Sequence, residues 1–438
     1  MDGNDFVFIL LLRECLADFL LCINRAKSWH AVKISKNRYT KIVMATSSPE
    51  HTFTEAHIRR DWRLFSAAVF LFGFGFAMYG VVFINFITET LGVKPLGMGI
   101  LETTREIPGL LAVGIAALVA RFAESRIAAL CLCFSAAGVA ATGFVHTYGE
   151  LVLVTVFWSV FMHQWFMSSS FIPLALSSGQ ESGRHLGRMG ATGSAGTILA
   201  FLAVRALAGH VPYPLFFVTA AAFIFAGGVC LLPMSGASTT HNRPRLLFRR
   251  EYGLFYGLTF LEGFRRQIFS TFALFALVQQ WHVHLTQIGT LMLVNAVLSL
   301  LVAAPVGRLI DRLGERRTMS FYYAAIALTF AGYALVQRVV VLEVLWVVDS
   351  VLFSFGVGIT TYLNRIVRVG EMTPSLAMGQ TMNHVAAVVI PVAGGLLWHH
   401  FGYHAPFWCG VVAALVSLII TQAVLPRPHP VLAGAAAT

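Results

Sequence analysis

Three charged side chains, Glu262, Arg265 and Arg266, lie inside an otherwise apolar run near residues 253–278. Charges within such a run are costly, about 2.5–3.5 kcal/mol each at the centre of a membrane helix on insertion scales, so they must face water, a ligand or one another. At about 100° per residue the three fall within one arc of roughly 100°, about 14 Å along the helix and so near mid-depth. A planar, permanently charged guanidinium suits the gripping of carboxylate or phosphate, which points to binding of a small anionic or zwitterionic solute. An internal Glu262–Arg266 pair at i,i+4 is the competing reading, and it still leaves one arginine over.

Glu102, Arg105 and Glu106 repeat this geometry in the run 97–119 and are followed by Pro108-Gly109, which should bend the helix. Their place about 8 Å from the end of the run suits a gate or an inter-helix salt bridge, with Glu102 or Glu106 also able to pair across a cavity or carry a proton. Asp349 is a lone midspan acid, open to proton coupling or to a static pair with Arg265 or Arg266. His163 and Gln164, beside Trp165, suit either substrate contact or a structural hydrogen bond. Asn295, and Asn383 with His384 near Pro391, read as polar glue between helices. The six cysteines include Cys131 and Cys133, which point to different faces and have no histidine or acid nearby in sequence. They read as apolar filler, and neither a metal site nor a cofactor is expected.

These side chains need long apolar elements to hold them. Hydrophobic residues make up 57% and charged residues 12% of the 438, with a mean hydropathy of +0.74, which leaves too little polar surface to wrap a soluble globule. Spanning-length runs fall near 64–88, 97–119, 127–145, 150–172, 187–208, 213–232, 253–278, 287–306, 318–336, 340–362, 375–398 and 405–425. The period-2 alternation of a barrel is lacking, so the chain reads as an all-α membrane protein with twelve transmembrane helices. Arginines crowd the even-numbered loops: Arg121 and Arg126; Arg184 and Arg188; Arg243, Arg245, Arg249 and Arg250; Arg308, Arg312, Arg316 and Arg317; Arg365 and Arg368. The odd-numbered loops offer Lys94 and Arg338, with Arg205 at a helix end. Both termini are therefore expected in the cytoplasm, and the net charge of +11 reports orientation, not nucleic-acid binding.

A shift of 190 residues sets Gly73-Phe74 on Gly263-Phe264, Gly99 on Gly289, Leu101 on Leu291 and Arg126 on Arg316, suggesting two six-helix pseudo-repeat halves. The expected division is a leader at 1–61, halves at 62–233 and 253–425, a cytoplasmic linker at 234–252 and a tail at 426–438. The leader's apolar stretches are broken by Arg13-Glu14, so neither spans; Met44 reads as an alternative start, with an interfacial anchor as the other possibility.

Between the eighth and ninth runs lies GRLIDRLGERR, residues 307–317. Gly307, Asp311, Arg312, Gly314, Arg316 and Arg317 stand at the spacing of the loop motif of the major facilitator superfamily of membrane transporters, which this chain resembles over residues 60–425. The first-half counterpart, ALVARFAESRI, has Arg121 where Asp311 stands. The resemblance implies alternating access between two halves, with the first, fourth, seventh and tenth helices lining the cavity. It also implies a gating role for the loop, whose acid pairs with a basic neighbour and meets a helix N-terminus across the seam. The proline-containing motif of the family's drug/proton antiporters is missing from the fifth run, where RMGATGSAGT stands instead.

The expected function is secondary active transport of a small anionic or zwitterionic solute, coupled to a proton or another ion, by a monomer in a bacterial cytoplasmic membrane. Drug or metabolite efflux is the alternative within that class, and a non-transporting membrane sensor or assembly protein the alternative outside it. An enzyme is not expected, since no nucleophile, metal cluster or phosphate loop is apparent.

Overall fold

A computed structural model describes residues 55–119, 122–176, 182–234, 247–368 and 370–424. The leader with Met44, most of the expected linker and the tail lie outside the described residues. Thirteen α-helices are described: α1 Glu55–Glu89, α2 Pro95–Leu118, α3 Glu124–Thr142, α4 Tyr148–Leu176, α5 Ser182–Leu207, α6 Tyr213–Leu231, α7 Gly253–Trp281, α8 Leu285–Leu313, α9 Glu315–Leu335, α10 Val339–Leu352, α11 Val357–Ile366, α12 Met372–Phe401 and α13 His404–Thr421. The expected tenth helix is broken by a 3-10 turn at Phe353–Gly356, so α10 and α11 together make one span. Helix α1 begins nine residues before its apolar run, because helical hydrogen bonding already runs through the polar IRRDWR before the hydrocarbon-length part starts.

Ten spans are long and apolar enough to cross a membrane on those criteria. The two remaining long helices, α2 and α7, carry the three-charge clusters. Burial accounts for α7: most of its residues from Phe255 to Val278 are buried, so its charges meet protein and not lipid. By contrast α3, α6, α9 and α13 carry charge only at their first turns, if at all, and each exposes an apolar stripe, such as Leu130 and Phe134, Phe225 and Val229, Phe321 and Leu328, or Val412 and Ile419. These stripes are apolar faces that lipid can cover.

Packing repeats between the halves. In the first, α1 lies against α5 and α6, α3 against α4 and α6, and α2 against α4; in the second, α7 lies against α12 and α13, α9 against α13 and α10, and α8 against α10. The halves meet mainly through α2 with α12 and α5 with α8, which the repeat also makes equivalent. One end of the bundle carries the arginines, and the seam hydrogen bonds cluster towards the other: Asn85 Nδ2 to Val283 O at 3.1 Å, Arg205 Nε to Thr290 Oγ1 at 2.9 Å and Thr103 Oγ1 to Val388 O at 2.8 Å.

Close approach of α2 and α12 depends on glycine. A Cβ on Gly99 would stand 2.2 Å from the Pro391 carbonyl oxygen, and one on Gly395 2.8 Å from that of Pro95. Pro391 cannot donate to the helix ladder, and Thr103 works into the ladder beside it, donating to Val388 O and accepting from Val392 N at 3.2 Å.

Candidate functional site

Two charged clusters occupy the interior. The first is built within the second half around Arg265, which is 1% exposed. Its Nη2 lies 2.5 Å from Glu262 Oε1 and 2.8 Å from Tyr322 Oη, and its Nη1 lies 3.1 Å from Asp349 Oδ1. Tyr322 in turn donates to Glu262 Oε1 at 2.7 Å. The guanidinium also stacks over the rings of Tyr322 and Phe353, at 5.6 and 5.8 Å from their centroids. Glu262 therefore pairs with Arg265 at i,i+3, and the expected i,i+4 pair with Arg266 is not formed. The reason is tertiary: α9 brings Tyr322 and α10 brings Asp349 to the Arg265 side of α7. Of the two partners open to Asp349, Arg265 is the one it meets. Gly356, in the 3-10 turn, stands beside Glu262, where a Cβ would meet Glu262 Oε1 at an ordinary 3.6 Å. With both carboxylates ionised the cluster carries one cation against two anions, and Glu262 Oε2 has no hydrogen-bond partner among the described residues.

The second cluster spans the seam. Arg105 Nη2 lies 2.5 Å from Glu102 Oε2 and 3.3 Å from Glu106 Oε1, so this guanidinium too is shared between two acids. Glu106 sits midway along α2, about 16 Å from its start at Pro95. Its other oxygen faces His163 Nε2 of α4 at 3.8 Å and His384 Nδ1 of α12 at 3.4 Å. Across the seam Glu106 thus meets α12. Gln164 donates to the Ala112 carbonyl at 3.0 Å, tying α4 to α2, and Trp165 is buried against Phe65 and Phe72. Arg266 points away from Arg265 and donates to Asn383 Oδ1 at 2.6 Å, while its Nε has no hydrogen-bond partner among the described residues. The expected surplus arginine is thereby reduced to Arg266, since Arg105 and Arg265 are each balanced by two carboxylates. Tyr322, Ser159, His384 and Thr103 are the members that sequence reasoning passed over or read as packing.

At the arginine-rich end, Gly314 alone joins α8 to α9, at φ 80° and ψ 160°, a conformation that favours glycine. Asp311, Arg312, Arg316 and Arg317 are exposed there, and Arg316 donates to Gln422 Oε1 at 3.2 Å. The buried acid of the motif is Glu315, 1% exposed, whose Oε2 accepts from Arg365 at 2.6 Å. Glu371 accepts from Arg249 and, at 2.6 Å, from Tyr252 Oη, which ties the start of α7 to the start of α12. The Tyr252 hydrogen bond and Arg249 hold the Glu371 carboxyl below the usual carboxylate range.

Two surface clefts, of about 430 and 490 Å³, flank Glu89 at the opposite end, and neither is lined by the interior clusters. Residues 255–438 match the sequence model of the Major Facilitator Superfamily. The match covers the second half of the chain, from the seventh helix onward. Solved structures agree over most of its length. The nucleoside transporter NupG, in the structure of a point mutant, superposes with a TM-score of 0.72 at 14% identity, covering 83% of this chain and 100% of that one. A bacterial homologue of the human lysosomal transporter Spinster, inward-facing and unoccupied, gives 0.64 at 14% identity, covering 85% of this chain and 97% of that one. A bacterial homologue of the iron transporter ferroportin, inward-facing, gives 0.66 at 14% identity over 84% of this chain and 99% of that one. At this identity they establish the shared fold. No curated protein matches the chain in sequence. The superfamily and these neighbours are those of membrane transporters, and an integral membrane protein follows.

Proposed function

We propose that this protein is a proton-coupled secondary transporter that moves a small solute bearing a carboxylate or similar anionic group by alternating access between its halves. Arg266 carries the reading. It is half-buried, lies beside the α7–α12 contact and meets a neutral amide oxygen, where Arg105 and Arg265 are already balanced by acids. A zwitterion suits the site better than a simple anion, because acidic groups outnumber arginines in the two clusters.

Coupling is assigned to Asp349. Its tie to Arg265 is a single ion pair, whereas Glu262 Oε1 accepts from both Arg265 and Tyr322. One proton on Asp349 takes the buried cluster from net −1 to zero, so loading and release of that proton change the electrostatic cost of the closed interior. The arginine-rich end is assigned to the cytoplasm, and the seam contacts at the opposite end then make this the inward-facing arrangement. The exposed loop with Asp311 reads as a gating element that favours the outward-open state.

The test is uptake into proteoliposomes, screened over amino acids and small organic acids with and without a pH gradient. For a transported solute, Arg266→Lys keeps the charge and loses the bidentate fork, and should weaken apparent affinity by about 1–3 kcal/mol, roughly 5- to 150-fold. Unchanged affinity in a folded Arg266→Lys protein would remove Arg266 from the site.

A further inference from the structure

Glu106, His163 and His384 present three metal-ligating atoms within 4.8 Å of one another, from α2, α4 and α12. We propose that they form a binding site for a divalent first-row transition-metal ion of the Zn2+ type, one that bridges the two halves of the protein. This goes beyond solute transport and does not depend on it.

The separations fit a missing central atom better than direct hydrogen bonds. Glu106 Oε2 stands 3.4 Å from His384 Nδ1 and 3.8 Å from His163 Nε2, at or beyond the limit for hydrogen bonding. His384 Nδ1 is buried and has no hydrogen-bond partner among the described residues. Ligands bound tetrahedrally at 2.0–2.1 Å stand about 3.4 Å apart, so one edge is already at metal spacing. The other edges, none beyond 4.8 Å, need to close by at most about 1.4 Å.

Tautomer and support also fit. Ser159 Oγ donates to the Arg105 carbonyl at 2.5 Å, which uses its one hydrogen. His163 Nδ1, at 2.9 Å from the Ser159 carbonyl and 3.1 Å from Ser159 Oγ, must therefore be the nitrogen that donates. In the neutral ring Nε2 then carries its lone pair towards Glu106, and the carbonyl acceptor behind a ligating imidazole is the usual outer support of a metal site. Glu106 is divided in the same way: Oε1 faces Arg105 and Oε2 faces the histidines. Gly109, one turn beyond Glu106, leaves the space the imidazoles need, since a Cβ there would stand 2.5 Å from His163 Nε2 and 2.7 Å from His384 Cε1. Two imidazoles and one carboxylate with open positions suit Zn2+, Fe2+ or Co2+ and discriminate against Mg2+ and Ca2+, which require oxygen-rich shells. Because His384 comes from the second half and the other two ligands from the first, a bound ion holds α2 against α12.

Titration of the purified full-length protein with Co2+, followed by its visible d–d absorption, tests the site directly. One Co2+ per chain is expected, displaced by Zn2+ and not by excess Mg2+. Glu106→Gln and His384→Gln, which preserve volume and polarity, should each weaken binding by at least about tenfold. The exposed pair His399 and His400, at the far end of α12, is the control for surface binding, and replacing both by alanine should leave the Co2+ site unchanged. Absence of a saturable spectrum, or a spectrum indifferent to Glu106→Gln and His384→Gln in variants that unfold at the parent's temperature, overturns the proposal and leaves a water-filled gap. Either result stands apart from the solute screen, in which Arg266→Lys is the deciding variant.

Discussion

Arg265 is the side chain whose removal should be felt most, and the loss should be largely reversible by a second substitution. Arg265→Gln deletes the cation that two buried carboxylates share and leaves Glu262, 7% exposed, and Asp349, 5% exposed, facing each other uncompensated. Breaking a buried pair in this way costs about 3–5 kcal/mol, most of it the penalty of the orphaned charge and not the worth of the pair itself. Adding Asp349→Asn removes one of the two orphans, while Glu262 keeps the Tyr322 hydroxyl at 2.7 Å. The double variant should therefore recover about half or more of the lost stability. Asp349→Asn alone should fold as well as the parent, exchange solute across the membrane, and fail to accumulate it against a gradient. Denaturant titration of the purified protein, run as a double-mutant cycle, reads the coupling, and counterflow against pH-driven uptake reads the transport half. Additive losses in the cycle would refute the charge balance, and pH-driven accumulation by Asp349→Asn would refute the coupling role.

Gly99→Ala forces a methyl group against the Pro391 carbonyl at 2.2 Å, a backbone atom that cannot swing away, so α2 and α12 should part. A cysteine replacing buried Val93 should then react faster with an impermeant thiol reagent, and an unchanged rate would show that the seam yields elsewhere. Gly314→Ala places a side chain at φ 80° in the one-residue connection between α8 and α9, at a cost of about 1–3 kcal/mol that a lowered unfolding midpoint should report. Glu371 has its carboxyl held below the usual range, so its contacts with Tyr252 and Arg249 contribute fully above the unfolded value near 4.3 and are lost as the pH falls below it. Hydrogen exchange at residues 249–252 should therefore quicken at acid pH in the parent and be already fast at neutral pH in Glu371→Gln.

Much of the architecture was legible because a bilayer leaves so few solutions. Apolar length located the helices, and charge is excluded from the spans of α3, α6, α9 and α13 beyond their first turns. The break at Phe353–Gly356 was not anticipated, although Gly356 and Gly358 stood in the run; an apolar stretch carries no period that reports which residues leave the α-helical ladder. Site residues were legible as charges and illegible as pairs. Helical spacing brought Glu262 equally near Arg265 and Arg266, and the choice between them was made by Tyr322 and Asp349, 57 and 84 residues further along. His384 read as packing for the same reason: its partners Glu106 and His163 come from the other half of the chain, and no spacing rule reaches that far.

The seam itself explains how a pseudo-symmetric bundle holds an asymmetric state. The shift of 190 residues that aligns the halves sets Gly99 on Gly289, and both glycines stand where one half touches the other. At Gly99 the approach is backbone to backbone, buttressed by Gly395 and by the Thr103 hydroxyl seated in the proline-weakened ladder of α12. At Gly289 a Cβ would meet Arg205 at an ordinary 3.6 Å, and the nearby tie from Arg205 to Thr290 is exposed to solvent. Dispersion and part-buried hydrogen bonds thus favour the α2–α12 side, where parting the helices would strand the Thr103, Val388 and Val392 polar groups, while the α5–α8 side exchanges its contacts with water at little cost. The charged seam cluster lies on the tight side, with Glu106 one turn from Thr103 and His384 one turn from Val388. Whatever binds between Arg266 and Glu106 therefore acts where separation of the halves is most costly, and its binding energy bears directly on the contact that must open or close.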